Sequence, residues 1–135
     1  MDAIRWRKRD ELGVGEMDEP HAEFIALINS IVASQEPDDV KYLLRRLVDH
    51  TRVHFEIEGR LMRECGCSSI REHEEEHARV LSDLARYAAM AERGMADMAR
   101  AFVSDHLPAW YSSHGRTMDA ALARCVKERR IRRAR

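Results

Sequence analysis

The chain has 135 residues, 44% of them hydrophobic and 35% charged, with a formal net charge of −1. That length holds one domain with its own core, and the near-neutral charge gives no global attraction to nucleic acid or to an anionic membrane. Helix formers dominate, with only 6 Gly and 3 Pro, and β-branched runs of strand type are missing. The composition therefore points to an all-α domain.

Residues 1–17 read as an irregular arm, with Trp6, Leu12 and Val14 laid over one end of the fold. The segment Met1–Asp10 is polar and lacks the apolar run of an export signal, and no stretch approaches the length of a membrane span. Asp18 is expected to cap a first helix, with Pro20 in its first turn. His21, Phe24, Ile25, Ile28, Ile31 and Val32 then follow at i, i+3, i+4 spacing, and the helix ends before Pro37.

Asp38 and Asp39 are expected to open a second helix that runs to about Glu64 and stops at Gly66. Its inward stripe is Leu44, Leu47, Thr51, His54, Glu58 and Leu61. Ser69 and Glu72 have the spacing of a capping box for a third helix, whose stripe is Ile70, His73, His77, Val80 and Leu84 and which Gly94 ends. A fourth runs from near Ala96 to about Val126, with Val103, Leu107, Trp110, His114, Met118 and Ala121 facing in. Pro108 lies inside this pattern and is expected to kink it. Short connections between such helices force antiparallel neighbours, giving an up-down-up-down four-helix bundle over residues 1–127.

Residues 128–135 form a basic tail. From Arg124 to Arg135 there are seven Lys or Arg and a single Glu. A solvated terminal segment and a docking site for an acidic partner both fit this run. Cys65, Cys67 and Cys125 are an odd number of thiols, the pattern of a reduced, cytoplasmic protein. Cys65-Gly66-Cys67 looks like half of a metal knot, but no second pair accompanies it, and it reads as an inert inter-helix turn.

The polar residues carry the functional signal. His21, His54, Glu58, His73, His77 and His114 all occupy inward positions where Leu or Ile is expected. A single buried histidine is ordinarily a hydrogen-bonded core residue. Six titratable groups converging from four helices would each be costly if left unpaired, and a shared metal centre removes that cost for all of them. His73 and His77 are i, i+4 on one helix face, and His54 and Glu58 repeat the spacing. Imidazole and carboxylate without thiolate suit iron better than a structural zinc knot.

The blocks Leu12-Gly13-Val14-Gly15-Glu16-Met17-Asp18-Glu19-Pro20-His21, His54-Phe55-Glu56-Ile57-Glu58, His73-Glu74-Glu75-Glu76-His77 and Trp110-Tyr111-Ser112-Ser113-His114 with Asp119 resemble, in order, those of the hemerythrin family. The likeness covers nearly the whole chain apart from the tail. It implies a cofactor of two non-haem iron ions, oxo- or hydroxo-bridged. His73, His77 and His114 would hold one iron and His21 and His54 the other, with Glu58 and Asp119 bridging. The iron with two histidines would keep an open position for dioxygen. The function implied is reversible dioxygen binding by a monomeric, non-enzymatic carrier or store. Sensing of O₂ or NO through a separate partner is the alternative within the family, since no output domain is expected within these 135 residues.

His114 and Asp119 are five residues apart, roughly 140° around an ideal α-helix. Both can face one site only if the helix is widened, so a π-type distortion is expected near Gly115. Ile25, Phe55, Leu61 and Trp110 are candidates for the apolar wall of the dioxygen pocket. His50, one turn before His54, and His106 are read as non-ligands. Two positions depart from the family pattern: Pro20 stands where Gln often precedes the first histidine, and Gly115 where Ile is usual.

Two rival readings are weaker. His73-Glu74-x-x-His77 satisfies H-E-x-x-H, the zinc metalloprotease motif with Glu74 as base, but Val80 and Asp83 stand where its extension should be. A ferritin-like di-iron oxidase needs Glu-x-x-His on two helices, and Glu74-x-x-His77 is the single such pair.

Overall fold

The three-dimensional structure is a computed structural model and describes residues 3–134. After a short 3₁₀ turn at Lys8–Asp10 come α1 (Gly15–Ala33), α2 (Pro37–Cys65), α3 (Ile70–Glu92) and α4 (Ala96–His114). A π-helical turn, Gly115–Asp119, then joins α4 to α5 (Ala120–Ala134). The last three pieces form one rod, so the molecule is an all-helical bundle of four rods, with no strand among the described residues.

Local chemistry sets the ends. α1 starts earlier than expected, because Asp18 does not cap it. The Asp18 carboxylate instead accepts from the backbone N–H of Leu12 (2.7 Å) and of Gly13 (3.0 Å), fastening the incoming loop while Val14 precedes the helix. Pro37 is itself the first residue of α2, where its missing N–H costs nothing. Gly66 closes α2 in the left-handed region at φ 66°. Ser69 precedes α3 but makes no side-chain cap, so the expected capping box is absent. Its backbone, at φ −101° and ψ 20°, is not extended, and an N-cap hydroxyl reaches the first turn from extended backbone. α4 continues through Pro108, which forgoes a bond to the Ser104 carbonyl without ending the helix.

The arm is tied down. Ile4 and Asn29 exchange two hydrogen bonds, Ile4 N–H to Asn29 Oδ1 (2.9 Å) and Asn29 Nδ2 to the Ile4 carbonyl (2.7 Å). The basic tail is helical rather than loose: the Arg129 guanidinium donates to the Glu64 carbonyl, and Arg130 pairs with Glu16 at 2.5 Å. Met1 and Asp2 of the arm and Arg135 of the tail lie outside the described residues.

Two apolar clusters fill the bundle. One gathers Phe24, Ile28, Leu44, Leu47, Leu84, Val103 and their neighbours. The other gathers Val14, Met17, Leu61, Met62, Leu122, Ala123 and Val126. Along every rod the inward histidines and acids fall between the two sets. A polar layer is therefore clamped between two hydrophobic ones. No helix among the described residues is long and apolar enough to cross a membrane.

Each fully buried Leu contributes roughly 1.5–3 kcal/mol of transfer free energy, and truncation adds a cavity term. Leu84→Ala, at a completely buried position, is expected to cost about 2–5 kcal/mol in urea unfolding. Tyr42→Ala, at a side chain 57% exposed, is expected to stay within about 0.5 kcal/mol.

Candidate metal centre

The seven residues named from the sequence converge. His21, His54, Glu58, His73, His77, His114 and Asp119 are each at most 5% exposed. α1 brings His21 and α2 brings His54 and Glu58. α3 brings His73 and His77, α4 ends on His114, and the π turn ends on Asp119. The π turn is what the five-residue spacing requires: one extra residue per turn swings Asp119 onto the face of His114, and their side chains meet at 3.0 Å (Nε2 to Oδ1). The same extra residue shifts the face beyond it. Ala121, expected inside, is exposed, and Leu122, Ala123 and Val126 are buried in its stead.

The two carboxylates divide the imidazoles into two groups. Glu58 Oε2 lies 2.6 Å from His54 Nε2 and 3.0 Å from His21 Nε2. Its other oxygen, Oε1, lies 3.2 Å from His77 Nε2 and 3.6 Å from His73 Nε2. Asp119 repeats the pattern, with Oδ2 3.2 Å from His21 Nε2 and Oδ1 3.2 Å from His73 Nε2. Within the larger group, His114 Nε2 stands 3.2 Å from the Nε2 atoms of both His73 and His77. Two ligands at right angles, with metal–nitrogen bonds of about 2.1 Å, would sit roughly 3 Å apart. The donors are thus already spaced for metal ions. Glu58 Oε1 and Asp119 Oδ1 are buried without a hydrogen-bond partner, the mark of acceptors that await a cation.

Electrostatics agree with the geometry. Burial opposes charge on every member, yet hydrogen bonds from the surrounding imidazoles hold Glu58 well below the ordinary carboxylate range, and Asp119 is likewise lowered. Burial pulls His21 and His73 down, but Asp119 and Glu58 outweigh it and raise them to about 10 and about 9. His77 is lowered, with burial the largest cause.

Surrounding side chains fix the rings. Phe55 stacks on His77 with centroids 3.7 Å apart, and Trp110 stacks on His114 at 4.6 Å. Trp110 Nε1 donates to Glu76 Oε1 at 2.7 Å, and that oxygen lies 3.5 Å from His114 Nδ1. Beside the cluster is a cavity of about 10 Å³, about the space that one water molecule needs. Its apolar wall is Phe24, Phe55, Trp110 and Tyr111, with His21 and His54 among the polar lining. Of the four expected wall residues, Phe55 and Trp110 are there. Ile25 and Leu61 are buried but off the lining, and Leu61 sits nearly a turn beyond Glu58 in the second apolar cluster. Phe24, Tyr111 and Glu76 were not foreseen from the sequence. Phe24 is three residues beyond His21 and Glu76 three beyond His73, so helical spacing could have found both.

The non-ligands are accounted for. His50 meets the Pro20 carbonyl (2.9 Å) and Glu23 (3.3 Å), and His106 is exposed and stacks on Phe102. Glu74, the base required of a metalloprotease, is exposed and pairs with Arg63 at 3.4 Å.

A profile of the hemerythrin HHE cation binding domain matches residues 12–126. The chain belongs to the hemerythrin family. The bacteriohemerythrin of Stenotrophomonas maltophilia (strain R551-3) is 26% identical over 132 residues, covering 94% of this chain and 84% of the relative. Two crystal structures of hemerythrin variants, each substituted at one leucine, superpose with a TM-score of 0.83 at 21% and 20% identity. They cover 93% of this chain and 98% of theirs. At that identity they establish the shared hemerythrin fold. Family membership and the His/Glu/Asp cluster together point to oxygen binding at a non-haem iron site.

The raised imidazoles give a pH signature. Because the folded values of His21 and His73 lie above the ordinary 6.5, their protonation stabilises the metal-free fold fully below pH 6.5. That contribution is lost as pH rises through about 9 to 10. Thermal unfolding of metal-free protein should show Tm falling across this window. Iron-loaded protein should hold its Tm there, since metal cations replace the protons.

Proposed function

We propose that this chain binds dioxygen reversibly, as a carrier or store rather than a catalyst, at a pair of iron ions held by these seven side chains. One observation carries the reading: Glu58 and Asp119 each turn one oxygen to the His73/His77/His114 group and the other toward His21 or His54. A single ion has no use for that division; two ions side by side do. His73, His77 and His114 would hold one, His21 and His54 the other, and the two carboxylates would span them. The small cavity is bordered by both imidazoles of the smaller group, His21 and His54, and by His114 alone of the larger, which supports an open position on the side of the smaller group.

Ferrous ions bound there would supply the electrons that dioxygen takes up and returns. The chain does the rest. Five neutral imidazoles add no charge, so two ferrous ions, two carboxylates and one hydroxide would sum to +1, a small residual charge for an apolar bundle. Stacked rings prevent the histidines from swinging, and Phe24, Phe55, Trp110 and Tyr111 exclude the water that would carry off a reduced oxygen species.

Anaerobic, ferrous-loaded protein exposed to air should develop a visible charge-transfer band that bleaches on purging with argon and returns over many cycles. A band that never bleaches, or no band, contradicts reversible binding. Phe55→Ala, which removes the ring on His77, should keep the iron but speed loss of the reversible band several-fold. Glu58→Ala should lose both iron and band.

A further inference from the structure

Cys65 and Cys67, read as an inert turn from the sequence, lie together with Cys125. Cys65 ends α2, Cys67 follows the left-handed Gly66, and Cys125 lies on α5. In a continuous helix, residues two apart point to opposite sides. Here Gly66 N–H and Cys67 N–H both return to the Met62 carbonyl (3.0 and 3.2 Å), and the reversed chain carries the Cys67 side chain back beside that of Cys65. α5 supplies the third from across the bundle, its Cys125 thiol 3.7 Å from the Cys65 carbonyl. All three sulfur atoms lie within 4.8 Å of one another, partly buried and unpaired as disulfides.

We propose that Cys65, Cys67 and Cys125 form a second metal site, separate from the iron centre, that takes a soft ion of the zinc class and fastens α5 to the end of α2. Metal–sulfur bonds of about 2.3 Å place thiolates around one ion roughly 3.8–4.0 Å apart, so each thiol need move by less than about 1 Å. Thiolate sulfur selects zinc-like or cuprous ions over iron held by imidazole and carboxylate. Partial exposure of the three thiols leaves room for water as a fourth ligand. Three thiolates and a divalent cation sum to −1, and the Arg129 guanidinium, bonded to the Glu64 carbonyl beside Cys65, balances it. Binding is an exchange without redox change: each S–H proton leaves to solvent as its metal–sulfur bond forms.

A disulfide is the competing fate of such a cluster. Burial, reinforced by Cys125, pushes the Cys67 thiol up to about 12 and raises Cys65 as well. Protonated thiols are slow in oxidation and exchange, whereas a bound cation reverses the burial and mutual repulsion that keep them protonated. Cys67 and Cys65 pack against the second apolar cluster with Ile57 and Ile70. A metal here would tie down the rod that carries Asp119.

The test uses the full, iron-loaded, reduced chain titrated anaerobically with Cd(II), whose thiolate charge-transfer absorption reports sulfur ligation. The expected result is one cadmium per chain with the intensity of three Cd–S bonds, unchanged iron content, displacement by Zn(II), and a higher Tm. Cys65→Ser, Cys67→Ser and Cys125→Ser should each remove most of the absorption and the Tm gain. Cys67→Ser, in the turn outside any helix, serves if Cys125→Ser unfolds. Absence of Cd–S absorption, absorption that survives Cys125→Ser, cadmium uptake accompanied by iron loss, or a thiol count of one in protein purified without reductant would overturn the site. The proposal does not depend on the reading of the iron centre.

Discussion

The structure is organised by the cost of placing seven polar side chains in the middle of an apolar bundle. Buried carboxylates and imidazoles are tolerated only where each finds a partner of opposite charge. Here they find one another: Glu58 alone lies within 3.6 Å of four imidazoles. Everything around this layer serves to close it. The apolar clusters flank it above and below along the bundle, and the four rods each contribute at least one member. The layer is an association of long-range contacts that no single rod could make.

That constraint explains the one irregular turn in the helices. A regular helix through residues 114–119 would have pointed Asp119 away from the imidazoles, leaving Glu58 as the sole carboxylate against five histidines. The π turn accepts poorer backbone geometry in exchange for a second carboxylate, as π turns at functional sites often do. Gly115 opens that turn, and nothing stands within 4 Å of where its Cβ would be. The departure from the family's usual Ile therefore costs no packing at the Cβ position, and Gly115 is not on the lining of the small cavity.

Much of this was legible in the sequence because helical periodicity is strict. His54 to Glu58 and His73 to His77 could face only one way once Leu44, Leu47, Val80 and Leu84 had fixed the inward side. The distortion at Gly115 followed from the spacing of two side chains. Four features do not follow from local spacing alone. Asp18 could cap a helix or fasten a loop, and only the position of Leu12 and Gly13 decides between them. Ser69 has the right neighbours for a capping box but the wrong backbone angles. Ala121 followed the periodicity of α4, and the very π turn inferred from His114 and Asp119 should have moved the stripe to Leu122. The cysteine cluster is hidden from local spacing because its third member comes from 58 positions further on.

The proposed function requires the seven side chains to hold two metal ions rather than one. The direct measurement is an anomalous difference map from crystals of anaerobically iron-loaded protein, recorded at the iron edge. It should show two peaks of comparable height, one enclosed by His73, His77 and His114 and the other by His21 and His54, with Glu58 and Asp119 between them. A single peak, or two peaks that leave either carboxylate on one metal alone, would contradict it.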